Sequence, residues 1–124
     1  MSFQIPGGAE APHRAREIVT LTIGASLPSP LVERAKLLIS EVVTNSVMHG
    51  GSGEGEEIGV AVAWSPARIR MEVVDTGQGF RQTAPDPDRP GGWGLHLVET
   101  LSERWGIERS TRTLVWFELA PTEG

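Results

Sequence analysis

Apolar residues recur at helical spacing in three stretches of the chain. The first runs from Pro12 to about Ile23 and predicts a helix. The second follows the break GASLPSP, where Ser29 is a suitable N-cap and Pro30 a suitable first helical residue. This second helix is expected to end near the glycines of HGGSG. The third stretch, LHLVETLSERW, predicts a helix whose buried face carries Leu95, Val98, Leu101 and Trp105.

Two further stretches alternate apolar with polar or small residues, which is the period of a half-buried strand. EIGVAVAW and RIRMEVVD, joined by the turn SPA, predict a hairpin, and TLVWFEL predicts a final strand. SFQI near the start is either a short edge strand or a loose end. The order of elements predicts an α+β fold: a two-layer sandwich with a mixed, mostly antiparallel sheet and helices on one face.

Length and composition set the class of protein. The chain has 124 residues, of which 39% are hydrophobic and 22% charged, and this predicts a single globular domain over residues 1–124, with residues 1–10 loose or an edge strand. A net charge of -5 argues against direct nucleic-acid binding. No apolar run approaches the ~20 residues of a membrane span. The absence of cysteine excludes disulfides and fits a cytoplasmic location.

The stretch SEVVTNSVMHG places polar residues beside a buried helical stripe. Glu41 and Asn45 lie one turn apart at the border of that stripe. The Asn45 side-chain oxygen is a suitable ligand for Mg²⁺, and Glu41 could accept a proton from a water or a hydroxyl. The alternative is an ion pair between Glu41 and a nearby arginine such as Arg34.

Two glycine-rich stretches supply further candidates for a binding site. In DTGQGF, Asp75 ends a strand, and Gly77 and Gly79 let a flat ligand or a phosphate approach the backbone. In GGWGLHLVE, glycines lead into a helix whose free N–H groups form an anion site. The alternatives are a plain turn and a glycine hinge. The 19 residues from Thr76 to Gly94 form a loop of functional length.

Together and in this order, the three stretches resemble the N, G1 and G2 boxes of the histidine-kinase-like ATPase fold. Gyrase, histidine kinases, MutL and a heat-shock chaperone share that fold. The chain is most similar to its short stand-alone form, the bacterial anti-sigma factor serine kinases, with HRAREIV ahead of the N box and VWFEL at the end. The resemblance extends from about Pro12 to Leu119.

The resemblance implies roles for the matching positions. Asn45 would coordinate the Mg²⁺ that bridges the phosphates of ATP, and Glu41 would be the general base. Asp75 would bind the adenine amine, while Gly77 and Gly79 would let the backbone pack on the nucleotide.

It also implies the phosphate side of the site. Gly92, Gly94 and Leu95 would supply phosphate-binding amides, and the loop after Phe80 would be the ATP lid. Thr113 would lie near the adenine. Arg112 stands where the last box usually has glycine, and Trp93 where close relatives often have arginine.

The function implied is an ATP- and Mg²⁺-dependent serine/threonine protein kinase that regulates transcription as an anti-sigma factor. Its partners would be a small antagonist protein, which it phosphorylates, and a sigma factor; a homodimer is compatible with the resemblance. The alternative is a non-catalytic ATP-binding module that acts by partner capture alone. The ATPase half of a histidine kinase is disfavoured, because the chain has no helix pair carrying a phosphorylated histidine.

Overall fold

In the residues that the structure describes, the protein forms a five-stranded sheet with three helices in a second layer. The computed structural model describes residues 1–49, 56–75, 93–109 and 112–120. Within them, the helices are α1 (Ala11–Ile23), α2 (Ser29–His49) and α3 (Trp93–Leu101). The strands are β1 (Ser2–Pro6), β2 (Glu57–Ser65), β3 (Arg68–Asp75), β4 (Arg104–Arg109) and β5 (Thr113–Leu119). The sheet order is β1-β2-β3-β5-β4, and all pairings described are antiparallel, so the α+β prediction is confirmed.

The core lies between the helices and one face of the sheet. α1 packs against β1 and β2, whereas α2 packs against β3, β5 and both other helices. Strand alternation sends every second side chain into this layer. The largest fully buried side chains include Leu38 and Ile39 of α2, Met71 of β3 and Phe117 of β5. In the part of the chain that the structure describes, no helix is long and apolar enough to span a membrane.

The first residues form an edge strand, which decides between the two alternatives for SFQI. β1 pairs with β2 along its whole length, and Ile5 is buried on the helix side. Met1 extends the pairing, because its ammonium donates to the Val62 carbonyl oxygen at 2.7 Å and the Val62 N–H donates to the Met1 carbonyl oxygen at 2.8 Å.

The start of α2 differs by one residue from the prediction. The carbonyl oxygen of Pro28 accepts hydrogen bonds from the N–H groups of Leu31 and Val32, both at 3.0 Å. Pro28 therefore occupies the N-cap, and Ser29 is already in the first turn with Pro30. The described part of α2 ends at His49, and the predicted stop at the glycines that follow lies outside the described residues.

The third helix ends earlier than its apolar spacing predicts. It stops at Leu101, where the prediction continued to Trp105. The Ser102 hydroxyl donates back to a carbonyl oxygen in the last turn of α3. The N–H of Glu103 then donates across to the carbonyl oxygen of Glu118 at 2.8 Å, which begins the pairing of β4 with β5. The prediction that Trp105 lies on a helix is therefore wrong.

A cluster of charged residues occupies the face of the sheet that points away from the helices. The Glu118 side chain lies 3.1 Å from Arg70, 3.4 Å from Arg104 and 3.8 Å from Arg68. Arg70 also donates to Glu72 at 3.0 Å. Burial lowers the pKa of Arg70, but the hydrogen bonds to Glu118 and Glu72, together with the negative charges of these two side chains, outweigh burial and raise that pKa above its ordinary value.

Trp116 lies flat on the same open face. The guanidinium carbon of Arg70 is 4.3 Å from the centroid of its ring. Gly106, directly opposite on β4, leaves space for the ring, because a Cβ atom there would lie 2.7 Å from the indole nitrogen.

Candidate functional site

The helix-facing side of β3 ends in a carboxylate instead of an apolar side chain. Ile69, Met71 and Val73 point into the core, and Asp75 continues their alternation with only 2% of its surface exposed. Directly opposite on β5 is Thr113, which is 5% exposed. Two residues predicted separately, 38 positions apart in the sequence, are thus cross-strand neighbours at one end of the core.

This pair has the chemistry of a recognition site for a hydrogen-bonding ligand. An ionised carboxylate only accepts hydrogen bonds, whereas a threonine hydroxyl can donate and accept. Burial of a carboxylate costs free energy unless it is hydrogen bonded. The other cross-strand neighbour of Asp75 is Ile58, which is fully buried, so an apolar side chain adjoins the polar pair.

The edge of α2 carries the second group of predicted residues. Glu41 and Asn45 are both half-buried and lie one turn apart, beside the buried Leu38. Ser40, about 100° from Glu41 around the helix, accepts a hydrogen bond from Arg16 of α1 at 3.0 Å. α1 therefore meets α2 on the side of Ser40, and α2 also packs against α3.

The alternative partner for Glu41 is engaged elsewhere. Arg34 lies on the same edge of α2, two turns before Glu41, but its guanidinium donates to the carbonyl oxygen of Ala120 at 3.3 Å. The Arg34 side chain therefore ties α2 to the end of β5, and the proposed ion pair with Glu41 is not formed in the described part of the chain.

The start of α3 supplies the third part of the candidate site. Gly94 and Leu95 lie in its first turn, where backbone N–H groups have no acceptor within the helix. The last turn of α3 leads into Arg104, which pairs with Glu118 at the end of the sheet far from Asp75. The first turn is therefore the end of α3 that can face the Asp75–Thr113 pair.

Several predicted positions cannot be placed. Gly77, Gly79, Gly92 and the loop predicted as a lid lie outside the described residues. Their roles remain predictions. Among the described residues, no group of three or more His, Asp or Glu side chains could hold a metal ion. A cation held by one amide oxygen and by ligand phosphates needs no such group.

One exposed residue beside this edge was not singled out from the sequence. Leu37 lies on α2, one turn before Glu41, and is 43% exposed. A leucine in an amphipathic helix is ordinarily assigned to the core, so the residue type alone does not indicate that Leu37 is exposed. The helical period would have found it, because Leu37 falls about 140° from Val42, the centre of the buried stripe.

Comparison with known proteins places the chain in a family. Residues 9–119 match the sequence profile described as "Histidine kinase-like ATPase domain". That match covers most of the chain. The chain belongs to the histidine kinase-like ATPase domain family. The resemblance predicted from the three sequence boxes is thereby confirmed, although the match does not test the role of any single residue.

Curated relatives of this histidine kinase-like ATPase domain are named as an anti-sigma factor and as serine-protein kinases. An anti-sigma F factor from Clostridium acetobutylicum is 26% identical over 103 residues, which cover 73% of this chain and 71% of that protein. The serine-protein kinase RsbW of Bacillus pumilus is 30% identical over 100 residues, covering 68% of this chain and 62% of its own length. RsbW of Listeria monocytogenes is 33% identical over 86 residues, covering 58% and 55%. The chain thus matches little more than half of the kinases' length.

Proposed function

We propose that this chain binds ATP with Mg²⁺ and transfers the γ-phosphoryl group to a serine or threonine hydroxyl of a small antagonist protein. We further propose that it holds a sigma factor when that antagonist is not engaged. The observation that carries the proposal is the buried Asp75–Thr113 pair at the end of the sheet, together with α2, which packs on the same two strands and carries the half-buried Glu41 and Asn45.

The adenine end of the nucleotide fits the Asp75–Thr113 pair. The Asp75 carboxylate would accept a hydrogen bond from the exocyclic amine, and the hydroxyl of Thr113, the cross-strand partner of Asp75, would join the same network. Gly77 and Gly79 would leave the backbone open to the base and ribose. Adenine presents a donor where guanine presents a carbonyl oxygen, so this arrangement favours ATP over GTP.

The phosphate end fits α2 and the start of α3. Asn45 would give its side-chain oxygen to Mg²⁺, which prefers oxygen ligands and keeps several waters. Gly92, Gly94 and Leu95 would donate backbone N–H groups to phosphate oxygens, with support from the positive end of the helix dipole. When bound, the metal ion neutralises the charge that develops on the transferred group.

Glu41 supplies the acid–base chemistry. The acceptor hydroxyl oxygen forms a bond to the γ-phosphorus, the bond from that phosphorus to the bridging oxygen breaks, and ADP leaves. The Glu41 carboxylate takes the hydroxyl proton. Glu41 suits this role because it is half-buried beside Asn45 and because Arg34, its alternative partner, donates to Ala120.

The partners are proposed from the names of the relatives. An anti-sigma F factor and a serine-protein kinase are among the proteins that this chain resembles. A kinase of that class needs a protein acceptor, and an anti-sigma factor needs a sigma factor. The two activities together describe a transcription regulator with a phosphorylation switch.

Substitution of Glu41 and of Asn45 separates chemistry from binding. Glu41→Ala removes the proposed base, so transfer should fall on the order of 10²–10⁴-fold while ATP affinity stays near that of the wild type. Asn45→Ala removes a proposed metal ligand, so Mg²⁺-dependent ATP affinity and transfer should both fall. Calorimetry measures the affinity, and transfer of label from [γ-³²P]ATP measures the reaction.

Two outcomes would overturn parts of this proposal. Transfer by Glu41→Ala at the wild-type rate would make Glu41 a structural residue. A wild-type protein that binds ATP and sigma factor but phosphorylates no antagonist would favour the non-catalytic module that acts by partner capture.

A further inference from the structure

α2 carries one polar residue inside its buried stripe that the proposed function does not use. Ser46 is 6% exposed and lies about 40° around the helix from Val42, the centre of that stripe. Every other buried residue of α2 that the structure describes is apolar. The remaining buried polar or charged side chains among the described residues are Asp75 and Thr113 of the candidate site and Glu118 of the open face.

The Ser46 hydroxyl is not bonded within its own helix. Serine and threonine in helices commonly donate their hydroxyl hydrogen to a carbonyl oxygen one turn earlier. Thr20 and Thr22 of α1 do so, at 3.1 Å and 2.8 Å. In the part of the chain that the structure describes, the Ser46 hydroxyl forms no hydrogen bond. A buried hydroxyl without a partner destabilises the free protein, so a ligand that supplies the partner gains this free energy on binding.

Ser46 lies toward the end of the sheet that holds the Asp75–Thr113 pair. Arg34 fixes the start of α2 near the other end, because it donates to the Ala120 carbonyl oxygen at 3.3 Å. From Arg34 to Ser46 the helix rises about 18 Å, and from Ala120 back to Thr113 the strand spans about 23 Å. Since α2 packs on β3 and β5, these lengths bring Ser46 within about two strand residues of the pair along the sheet.

The adenine ring offers an acceptor that a carboxylate cannot serve. Its Watson–Crick edge carries the exocyclic amine, which donates, and beside the amine the ring nitrogen N1, which accepts. An ionised carboxylate has no hydrogen to donate, whereas a serine hydroxyl has one. Asp75 alone therefore leaves N1 without a partner, and a hydroxyl group that enters from the helix layer supplies what is missing.

We propose that the Ser46 hydroxyl donates to N1 of adenine, beside the hydrogen bond from the exocyclic amine to Asp75. The carboxylate belongs to the sheet and the hydroxyl to the helix that packs on it, so the two layers read adjacent atoms of one edge. N1 of guanine carries a hydrogen and cannot accept this bond. The inference rests on the proposed nucleotide site and gives it a second residue that determines the specificity for the base.

The test removes each partner of this hydrogen bond in turn. Calorimetric titration in excess Mg²⁺ compares ATP with 1-deaza-ATP, in which a C–H group replaces N1. The wild type should bind 1-deaza-ATP about three- to tenfold more weakly than ATP, the usual effect of one neutral hydrogen bond. Ser46→Ala should lose the same factor with ATP, and its affinities for the two ligands should agree within about twofold, because the interaction is already absent.

Two further variants and a stability measurement serve as controls. Thr44→Ala removes an exposed hydroxyl from the same helix and should change neither affinity. Thr113→Val removes the hydroxyl opposite Asp75 and should keep the discrimination between the two ligands. In urea denaturation without nucleotide, Ser46→Ala should unfold at the same or a higher concentration than the wild type, because alanine leaves no buried hydroxyl to satisfy.

The outcomes separate the role of Ser46 from the nucleotide site. If the wild type binds both ligands equally, or if Thr113→Val instead of Ser46→Ala abolishes the discrimination, the role of Ser46 is overturned while ATP binding stands. Weaker ATP binding by Ser46→Ala together with a lower unfolding midpoint also overturns it, because Ser46 would then be structural. If the wild type binds neither ligand, the nucleotide site itself is wrong and the role of Ser46 falls with it.

Discussion

The two faces of the β3–β5 pair bury carboxylates in different ways. On the open face, Glu118 is 8% exposed and is surrounded by Arg68, Arg70 and Arg104, so protein cations balance its charge. On the helix-facing side, Asp75 is 2% exposed, and its cross-strand neighbours are the uncharged Ile58 and Thr113.

This difference separates a structural carboxylate from a candidate binding residue. Removal of one partner from a buried ion pair is costly, because the remaining charges lose their compensation. Glu118 should therefore contribute to folding. A carboxylate at the end of a strand, next to a hydroxyl and an apolar surface, is better suited to contact a ligand. The proposal thus assigns Glu118 to stability and Asp75 to recognition on the same two strands.

The largest expected effect is on nucleotide binding at Asp75. Asp75→Asn replaces a charged acceptor with a neutral one of the same shape, so ATP affinity should fall about tenfold or more. The free energy of unfolding should change by less than about 1 kcal/mol, because the amide has the same size and its oxygen can still accept a hydrogen bond. Calorimetry and urea denaturation measure the two quantities. A loss of stability with unchanged ATP affinity would make Asp75 a structural residue like Glu118.

The reverse pattern is expected at Glu118. Glu118→Gln leaves three arginines without their shared counter-charge, and unfolding free energy should fall by about 1–2 kcal/mol. The cost stays moderate because the arginine side chains are 35–63% exposed and solvent screens their repulsion. ATP affinity should change less than twofold. A large loss of ATP affinity in a folded Glu118→Gln protein would erase the distinction between the two faces.

A smaller effect tests the packing of the open face. Gly106→Ala would place a Cβ atom 2.7 Å from the Trp116 indole nitrogen, so the ring must move and stability should fall by about 1 kcal/mol. Gly59→Ala is the matched control on the same face. Its Cβ atom would meet the flexible end of Gln4 at 3.2 Å, and its stability should stay within about 0.5 kcal/mol. If thermal denaturation shows the same loss of stability for both substitutions, the Trp116 ring moves aside as easily as the Gln4 side chain.

Local patterns in the sequence were sufficient for most elements. The alternation of EIGVAVAW and RIRMEVVD predicted both strands of the hairpin, and the apolar stripe of α2 predicted its buried face. The helix prediction failed at Trp105. Leu101 and Trp105 are four residues apart, so their spacing fits the helical period whether or not the helix continues to Trp105. The residues around Trp105 form a strand because they pair with β5. The N–H of Glu103 donates to the carbonyl oxygen of Glu118, and Gly106 leaves room for the Trp116 ring.

The candidate site shows the same division between local and long-range information. The position of Glu41 and Asn45 on the edge of a buried stripe follows from helix geometry alone. The pairing of Asp75 with Thr113 depends on the register of two strands far apart in the sequence, and no local pattern contains it. The engagement of Arg34 by Ala120 is likewise a contact between distant segments, which is why Arg34 was a reasonable but incorrect partner for Glu41.

The preference for adenine over guanine tests the proposed nucleotide site most directly, because it depends on the recognition role of Asp75. Calorimetric titration of the wild type with ATP and with GTP, both in excess Mg²⁺, measures it. A carboxylate that accepts from the adenine amine meets a carbonyl oxygen in guanine, so ATP should bind at least tenfold more tightly than GTP. Asp75→Asn should narrow this ratio, since an amide can also donate. Equal affinities of the wild type for ATP and GTP would contradict the assignment of Asp75 and, with it, the nucleotide site proposed for this fold.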